Sequence, residues 1–212
     1  YDEEPGDNDR TSRRSQIKRE PLTTSVQPSS GQARVVKRSD MVSTIVFLAV
    51  STALVFVVTR LAAIQISAFN GQEFDLGDVM VFTFAWTFGP GIGAFAGGVG
   101  SALSDASIPS PFAPFTLIIK GSEGFLAGYI ATMNSGWSLK LSWVAASIVM
   151  VGGYFLTNWL ILGYGFYAGL YEVPFDTAQV VAGGLIGGPV ARYLRSALPT
   201  VLPSRRNPTS KN

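Results

Sequence analysis

The chain is predicted to be an all-α membrane protein, a compact six-transmembrane-helix bundle with a disordered N-terminal leader. Three observations carry that expectation. From Met41 to Leu198 long runs of Val, Ile, Leu, Phe and Gly dominate, and several windows approach the roughly 20 helical residues that cross a bilayer core. The charges gather mostly where those runs end. Basic residues crowd both flanks of the apolar block, as cytoplasmic loops of membrane proteins do.

Residues 1–40 mix charged and polar residues with Ser, Thr and Pro and offer little to pack, so they are expected to form a disordered, charged cytoplasmic leader. The first thirty residues carry no charged, apolar and cleavable signal pattern, and Met41–Val58 is expected to be a retained first span reaching to about Ile64. Arg60 near its end can snorkel to the interface. A polar loop over Ser67–Gly77 follows, and Asp78 is expected to cap a second helix over Val79–Phe88. At about 15 Å that piece is too short to cross alone.

Gly89-Pro90-Gly91 is expected to break the helix, because Pro lacks an amide hydrogen and restricts its predecessor. A small-residue helix over Gly91–Asp105 presents Gly93, Gly97 and Ser101 on one face and Ala94, Gly98 and Ala102 beside it. Such faces suit close helix packing. No Lys and Ser or Thr of a nucleotide loop accompanies them. A proline-punctuated loop over Ser107–Pro114 leads to a fourth helix over Phe115–Met133, a turn over Asn134–Lys140 and a fifth span over Leu141–Gly163. The aromatic segment Tyr164–Phe175 is expected to be a loop, with Asp176 capping a sixth helix that reaches Leu198 and residues 199–212 as a flexible cytoplasmic tail.

Six spans place both basic termini and Lys140 on the cytoplasmic side, a multi-pass arrangement in the cell membrane. Fusing 79–105 into one crossing gives five spans and puts the Arg-rich C-terminus outside. A four-span protein with a re-entrant hairpin at 79–105 keeps the six-span topology and stays open.

Composition removes several chemistries. With no Cys and no His there are no thiolates, disulfides, imidazole bases or metal sites built from those ligands. A net charge of +2 gives no argument for nucleic acid. No nucleophile–base arrangement stands out, so the chain is not expected to be an enzyme.

Lys120 and Glu123 are the most informative pair, because ionisable groups in hydrocarbon are costly and mark binding sites, transport paths or packed seams. Three residues apart, they share a helical face. The functional reading is an outward-facing polar pocket in which Lys120 attracts an electron-rich ligand and Glu123 accepts a ligand hydrogen bond. The structural reading is a pair that holds helix four to a neighbour. Trp86, Tyr129, Asn158, Trp159, Tyr164 and Tyr167 offer flat surfaces and hydrogen bonds for a heteroaromatic ligand, although interfacial aromatics also serve as anchors. On helix one, Ala49 and Ala53 make a small-residue ridge for another helix, within the chain or from a separate subunit.

Over about residues 42–197 the chain resembles the substrate-binding S component of energy-coupling-factor vitamin transporters. The resemblance rests on the ordered set Ala49-Val-Ser-Thr-Ala53, Leu76-Gly77-Asp78, Phe88-Gly-Pro-Gly91, Gly97-Gly98 through Asp105, Phe115, and Lys120-Gly-Ser-Glu-Gly124 followed by Gly128. The riboflavin-type branch is the nearest match. The resemblance implies six helices, an outward vitamin pocket closed partly by the first external loop, a transmembrane coupling subunit and two cytoplasmic ATPases. It gives Ala49 and Ala53 the contact with the coupling subunit and leaves ATP use to the partners, with no cofactor on this chain. Substrate-binding residues are expected to be Lys120, Glu123, Asn158, Trp86, Tyr129, Tyr164 and Tyr167. Riboflavin leads thiamine and its pyrimidine precursor as the expected ligand. A scaffold protein, or an autonomous ion-coupled carrier using Asp78, Asp105 or Glu123, are the competing classes.

Overall fold

The computed structural model describes residues 30–65, 73–133 and 137–198. The chain divides into a unit of residues 1–40 and a unit of residues 41–212. Helix α1 (Ser30–Leu61) begins within the stretch expected to be leader; the rest of that leader, most of the 67–77 loop and the C-terminal tail lie outside the described residues.

Five further helices follow in the second unit: α2 (Gly77–Phe88), α3 (Pro90–Ala106), α4 (Ala113–Ala131), α5 (Ser138–Leu156) and α6 (Phe166–Ala197). A short antiparallel pair, β1 (Ile64–Gln65) and β2 (Glu73–Phe74), joins α1 to α2, with Ile64 opposite Phe74. This pair replaces part of the polar loop. A π-helical turn, Thr157–Ile161, extends α5.

Two segments, Met41–Leu61 (21 residues) and Ser138–Ile161 (24 residues), are long and apolar enough to cross a bilayer unaided. At 12 residues α2 is short of that, at about 18 Å. The partition of side chains nevertheless marks the unit as a membrane protein. Val46 and Val50 of α1, Ile118 and Phe125 of α4, Ile148 of α5 and Leu185 of α6 are exposed, while Asp78, Lys120, Glu123 and Asn158 are buried. Water would select the reverse arrangement, and lipid selects this one.

The break between α2 and α3 falls where expected. Gly89 adopts φ 94°, a left-handed value that an L side chain resists, and Pro90 opens α3 at a position needing no amide hydrogen. The small residues of α3 meet those of α4 backbone to backbone. A Cβ at Gly93 would lie 2.7 Å from the Gly124 carbonyl oxygen, and one at Gly98 would lie 2.8 Å from that of Leu117. The glycines thus serve packing, as their spacing implied. On the other side of α3, Gly100 admits Val55 and the Thr52 carbonyl of α1, with a Cβ 2.7 Å from Val55 Cβ.

The apolar core has two parts. Val55, Val81, Phe84 and Ala96 join α1, α2 and α3. Phe82, Trp86, Ile119, Ala127, Met150 and Val180 join α2, α4, α5 and α6. The sixth helix differs from expectation. It starts ten residues early, so Tyr167, Glu172 and Pro174 belong to its first turns rather than to a loop, and Asp176 is internal instead of a cap. Gly165, at φ 95°, turns the chain into the helix, a start signal the aromatic composition of 164–175 had obscured.

Candidate functional site

Helices α2 to α6 alternate in direction, so the start of α2, the end of α3, the start of α4, the end of α5 and the start of α6 meet at one end of the unit. That end carries the polar interior. Lys120 is the eighth residue of α4, about 10 Å in from its start. Its Nζ donates a hydrogen bond to Asp78 Oδ1 of α2 and lies 3.2 Å from Glu123 Oε2 on its own helix. All three are buried, Lys120 at 3% exposure and both acids at 0%.

The expected Lys120–Glu123 pair is therefore a triad, and Asp78 has a different role from the one its position suggested. It is the second residue of α2 and makes no cap bond; the N-cap is Leu76, without a side-chain hydrogen bond. The nearby cation outcompetes the amide hydrogens, because a desolvated ion pair is the stronger electrostatic partner. Gly183 of α6 makes room for it: a Cβ there would lie 2.9 Å from Asp78 Cβ. Gly183 thus lets α6 press against the triad.

Two further polar chains adjoin it. Tyr154 of α5 places its ring 5.8 Å from Lys120 Nζ and donates its hydroxyl hydrogen to Thr116 Oγ1 at 3.0 Å, which in turn donates to Asp105 at 2.5 Å. Asn158, in the π-helical turn, donates to the Tyr154 carbonyl at 3.0 Å and to Glu172 of α6. A widened helical turn re-aims a side chain, and here it delivers a buried amide to a buried acid. Asp176, one turn further along α6, is 4% exposed and lies on the same helical face as Glu172.

The cluster carries unused acceptors. Among the described residues, Asp78 Oδ2, Glu123 Oε1 and Asp176 Oδ2 are buried with no hydrogen-bond partner, and Glu123 Oε2 has only the Lys120 ion pair. Such orphans are rare in a finished core and point to an incoming donor. Outside the helices, at the mouth, Asp75 accepts a hydrogen bond from the Gly77 amide at 2.5 Å, and burial pushes its carboxyl up to about 7 against the opposing pull of Lys120. Among the described residues, carboxylates thus outnumber Lys120 in this interior.

Of the residues expected to bind substrate, Lys120, Glu123 and Asn158 come together in this interior. Tyr164 is half-buried at the same end, its ring 6.4 Å from that of Phe112. Trp86 lies toward the opposite end, where its indole donates to Ser142 Oγ at 2.7 Å and its carbonyl accepts from Arg195. Tyr129 stacks on Phe125 and is 55% exposed, and Tyr167 is 84% exposed. Sequence reasoning did not assign Tyr154, Thr116, Glu172 and Asp176 to the site. The usable signal was the pair Glu172 and Asp176, four apart on one helical face. Ala49 and Ala53 remain exposed on α1, whose inward side is formed by Ser51, Val55 and Thr59.

Comparison with known proteins bears on this arrangement. Residues 39–196 match the family described as "ECF-type riboflavin transporter, S component". A Pyrococcus woesei protein named "Uncharacterized protein in gap 3'region" is 40% identical over 150 residues, covering 70% of this chain and 99% of that one. The "Thiamine precursor transporter HmpT" of Lactococcus lactis subsp. cremoris (strain MG1363) is 36% identical over 138 residues, covering 64% of this chain and 78% of that one. Among solved structures, the fold is similar to that described in "Structure and mechanism of the S component of a bacterial ECF transporter", with TM-score 0.61 at 21% identity over 76% of this chain and 98% of that one. An apolar-clad helical unit with an acid-rich polar interior, matched over most of its length, belongs to the S component family of ECF transporters, membrane proteins that transport a small vitamin-like molecule.

Proposed function

We propose that this chain is the substrate-binding subunit of an ATP-driven importer and captures a nitrogen-heteroaromatic vitamin or vitamin precursor in the Lys120 interior. The observation that carries the reading is the set of buried, unpartnered carboxylate oxygens on Asp78, Glu123 and Asp176. A ligand that brings N–H or O–H donors satisfies them, and each buried acceptor left unmade costs about 1–3 kcal/mol. Lys120 balances part of the negative charge and donates to a ligand acceptor, while the Tyr154 ring offers a face for stacking.

The excess of carboxylates supports an aminopyrimidine of the thiamine-precursor type as the substrate. Its amino group and ring nitrogen present adjacent donors, the second once protonated, and a buried carboxylate supplies two matched acceptors. The relative named as a thiamine precursor transporter is consistent with this choice. Riboflavin is the second reading, favoured by the description of the matched family. Its imide N–H and ribityl hydroxyls also satisfy acceptors.

The subunit itself hydrolyses nothing in this reading. A transmembrane coupling subunit docks on the exposed Ala49–Ala53 ridge, two cytoplasmic ATPases supply the energy, and the termini of this chain face the cytoplasm. Titration calorimetry of the purified chain against an aminopyrimidine, thiamine and riboflavin tests the assignment. Saturable binding of the aminopyrimidine, weakened at least about tenfold by Glu123→Gln, is expected. Binding of riboflavin alone transfers the assignment to the second reading, and binding of none of the three across several lipids refutes substrate capture.

A further inference from the structure

The end of the unit opposite the Lys120 interior holds a small cavity of about 170 Å³, lined by Trp86, Ser138, Leu139, Gly188, Arg192 and Arg195 among others. No acid lines it. The carboxylates of α2 to α6 lie toward the other end of those helices: Asp176 precedes Arg192 by 16 residues of α6, about 24 Å. Arg195 is held in place by Trp86, whose carbonyl oxygen accepts from Nε at 2.6 Å and also from Nη2. Arg192 has neither an ion pair nor a hydrogen bond among the described residues. The cavity therefore presents one positioned guanidinium, that of Arg195, and one uncommitted guanidinium, that of Arg192.

We infer that this cavity is a binding site for the phosphate of an anionic phospholipid headgroup. Phosphate suits it chemically, because guanidinium groups recognise phosphate oxygens through paired, charge-assisted hydrogen bonds. Depth selects lipid as the source. Ser138, in the cavity wall, is the first residue of a segment long enough to span a bilayer, so the cavity lies where a span ends. Trp137 and Tyr193 beside it are 70% and 72% exposed, the placement of residues at a headgroup boundary, and Lys140 lies 4.7 Å from the Trp137 ring centre. A basic pocket between helices at that level matches the pattern by which anionic headgroups are held.

Native mass spectrometry of the full chain, delipidated and then titrated with phosphatidylglycerol or phosphatidylcholine, tests the site. Phosphatidylglycerol is expected to be retained in preference, and Arg192→Gln, which leaves the Arg195–Trp86 contact in place, is expected to weaken its binding about tenfold. Phosphatidylcholine binding should be unchanged by the same substitution. The variant should melt within about 2 °C of the parent in lipid-free detergent, which separates lost binding from lost folding. Equal retention of the two lipids, or an unchanged phosphatidylglycerol affinity in the variant, overturns the site. Displacement of the lipid by an equimolar amount of glycerol 3-phosphate overturns the lipid as the source.

Discussion

Replacing Lys120 by Met keeps most of the side-chain volume and deletes the only cation of the triad. At 3.2 Å from Glu123 Oε2, and with an effective dielectric of about 20, the Lys120–Glu123 attraction alone is about 5 kcal/mol. Desolvation of three buried groups offsets much of that, so the intact triad contributes little net stability. Deleting one member is different. Asp78 and Glu123, both fully buried, are left without a cation, and breaking a buried pair in this way costs about 3–5 kcal/mol. By the scaling for chains of this size, the melting temperature should fall by roughly 6–20 °C. Thermal unfolding followed by tryptophan fluorescence in detergent measures it. A cycle with Asp78→Asn adds a sharper readout, because the neutral amide relieves the charge stranded by Lys120→Met. The coupling between the two substitutions should reach at least about 1.5 kcal/mol. If Lys120→Met melts within about 2 °C of the parent and shows no coupling to Asp78→Asn, the triad is not the electrostatic centre described above.

Four other outcomes follow from the same structure. Gly128→Ala places a Cβ 2.5 Å from the Pro90 nitrogen, a backbone atom that cannot yield, and should destabilise by about 1–3 kcal/mol or more in denaturant titrations. Gly91→Ala meets nothing within 4 Å, lies in helix α3 and should be neutral or stabilising by up to about 1 kcal/mol in the same assay. Asp75, raised from 3.8 to about 7 by burial, binds its proton more tightly when folded, so its contribution to stability is present below pH 4 and is lost as pH rises toward 7. Asp75→Asn should flatten that slope, which is at most about 1.4 kcal/mol per pH unit, in melts recorded from pH 4 to 8. Ala53→Leu, on the exposed side of α1, should abolish copurification of a coupling subunit while leaving vitamin affinity within about twofold, as measured by calorimetry.

The all-helical class, the α2–α3 break and the close α3–α4 seam were legible in the chain because each depends on local chemistry. Apolar runs, a Gly-Pro-Gly stop and a four-residue spacing of small residues act over one or two turns. Lys120 and Glu123 were legible for the same reason, being one turn apart in an apolar helix. The start of α6 was not. Its first turns are aromatic, contain Pro174 and hold acids, and their helicity depends on Gly169 lying against the Phe155 carbonyl and on Glu172 meeting Asn158.

Sequence alone determined that an expensive cation and carboxylate lie inside a membrane block. Only the tertiary structure decided which groups they face. It drew Asp78 from a cap position to Lys120 across 42 residues, and gathered Tyr154, Asn158, Glu172 and Asp176 from α5, its π-helical turn and α6 into the same interior. The physical reason is that burial energy in such a site comes from partners, and partners far apart in sequence meet only when the helices pack.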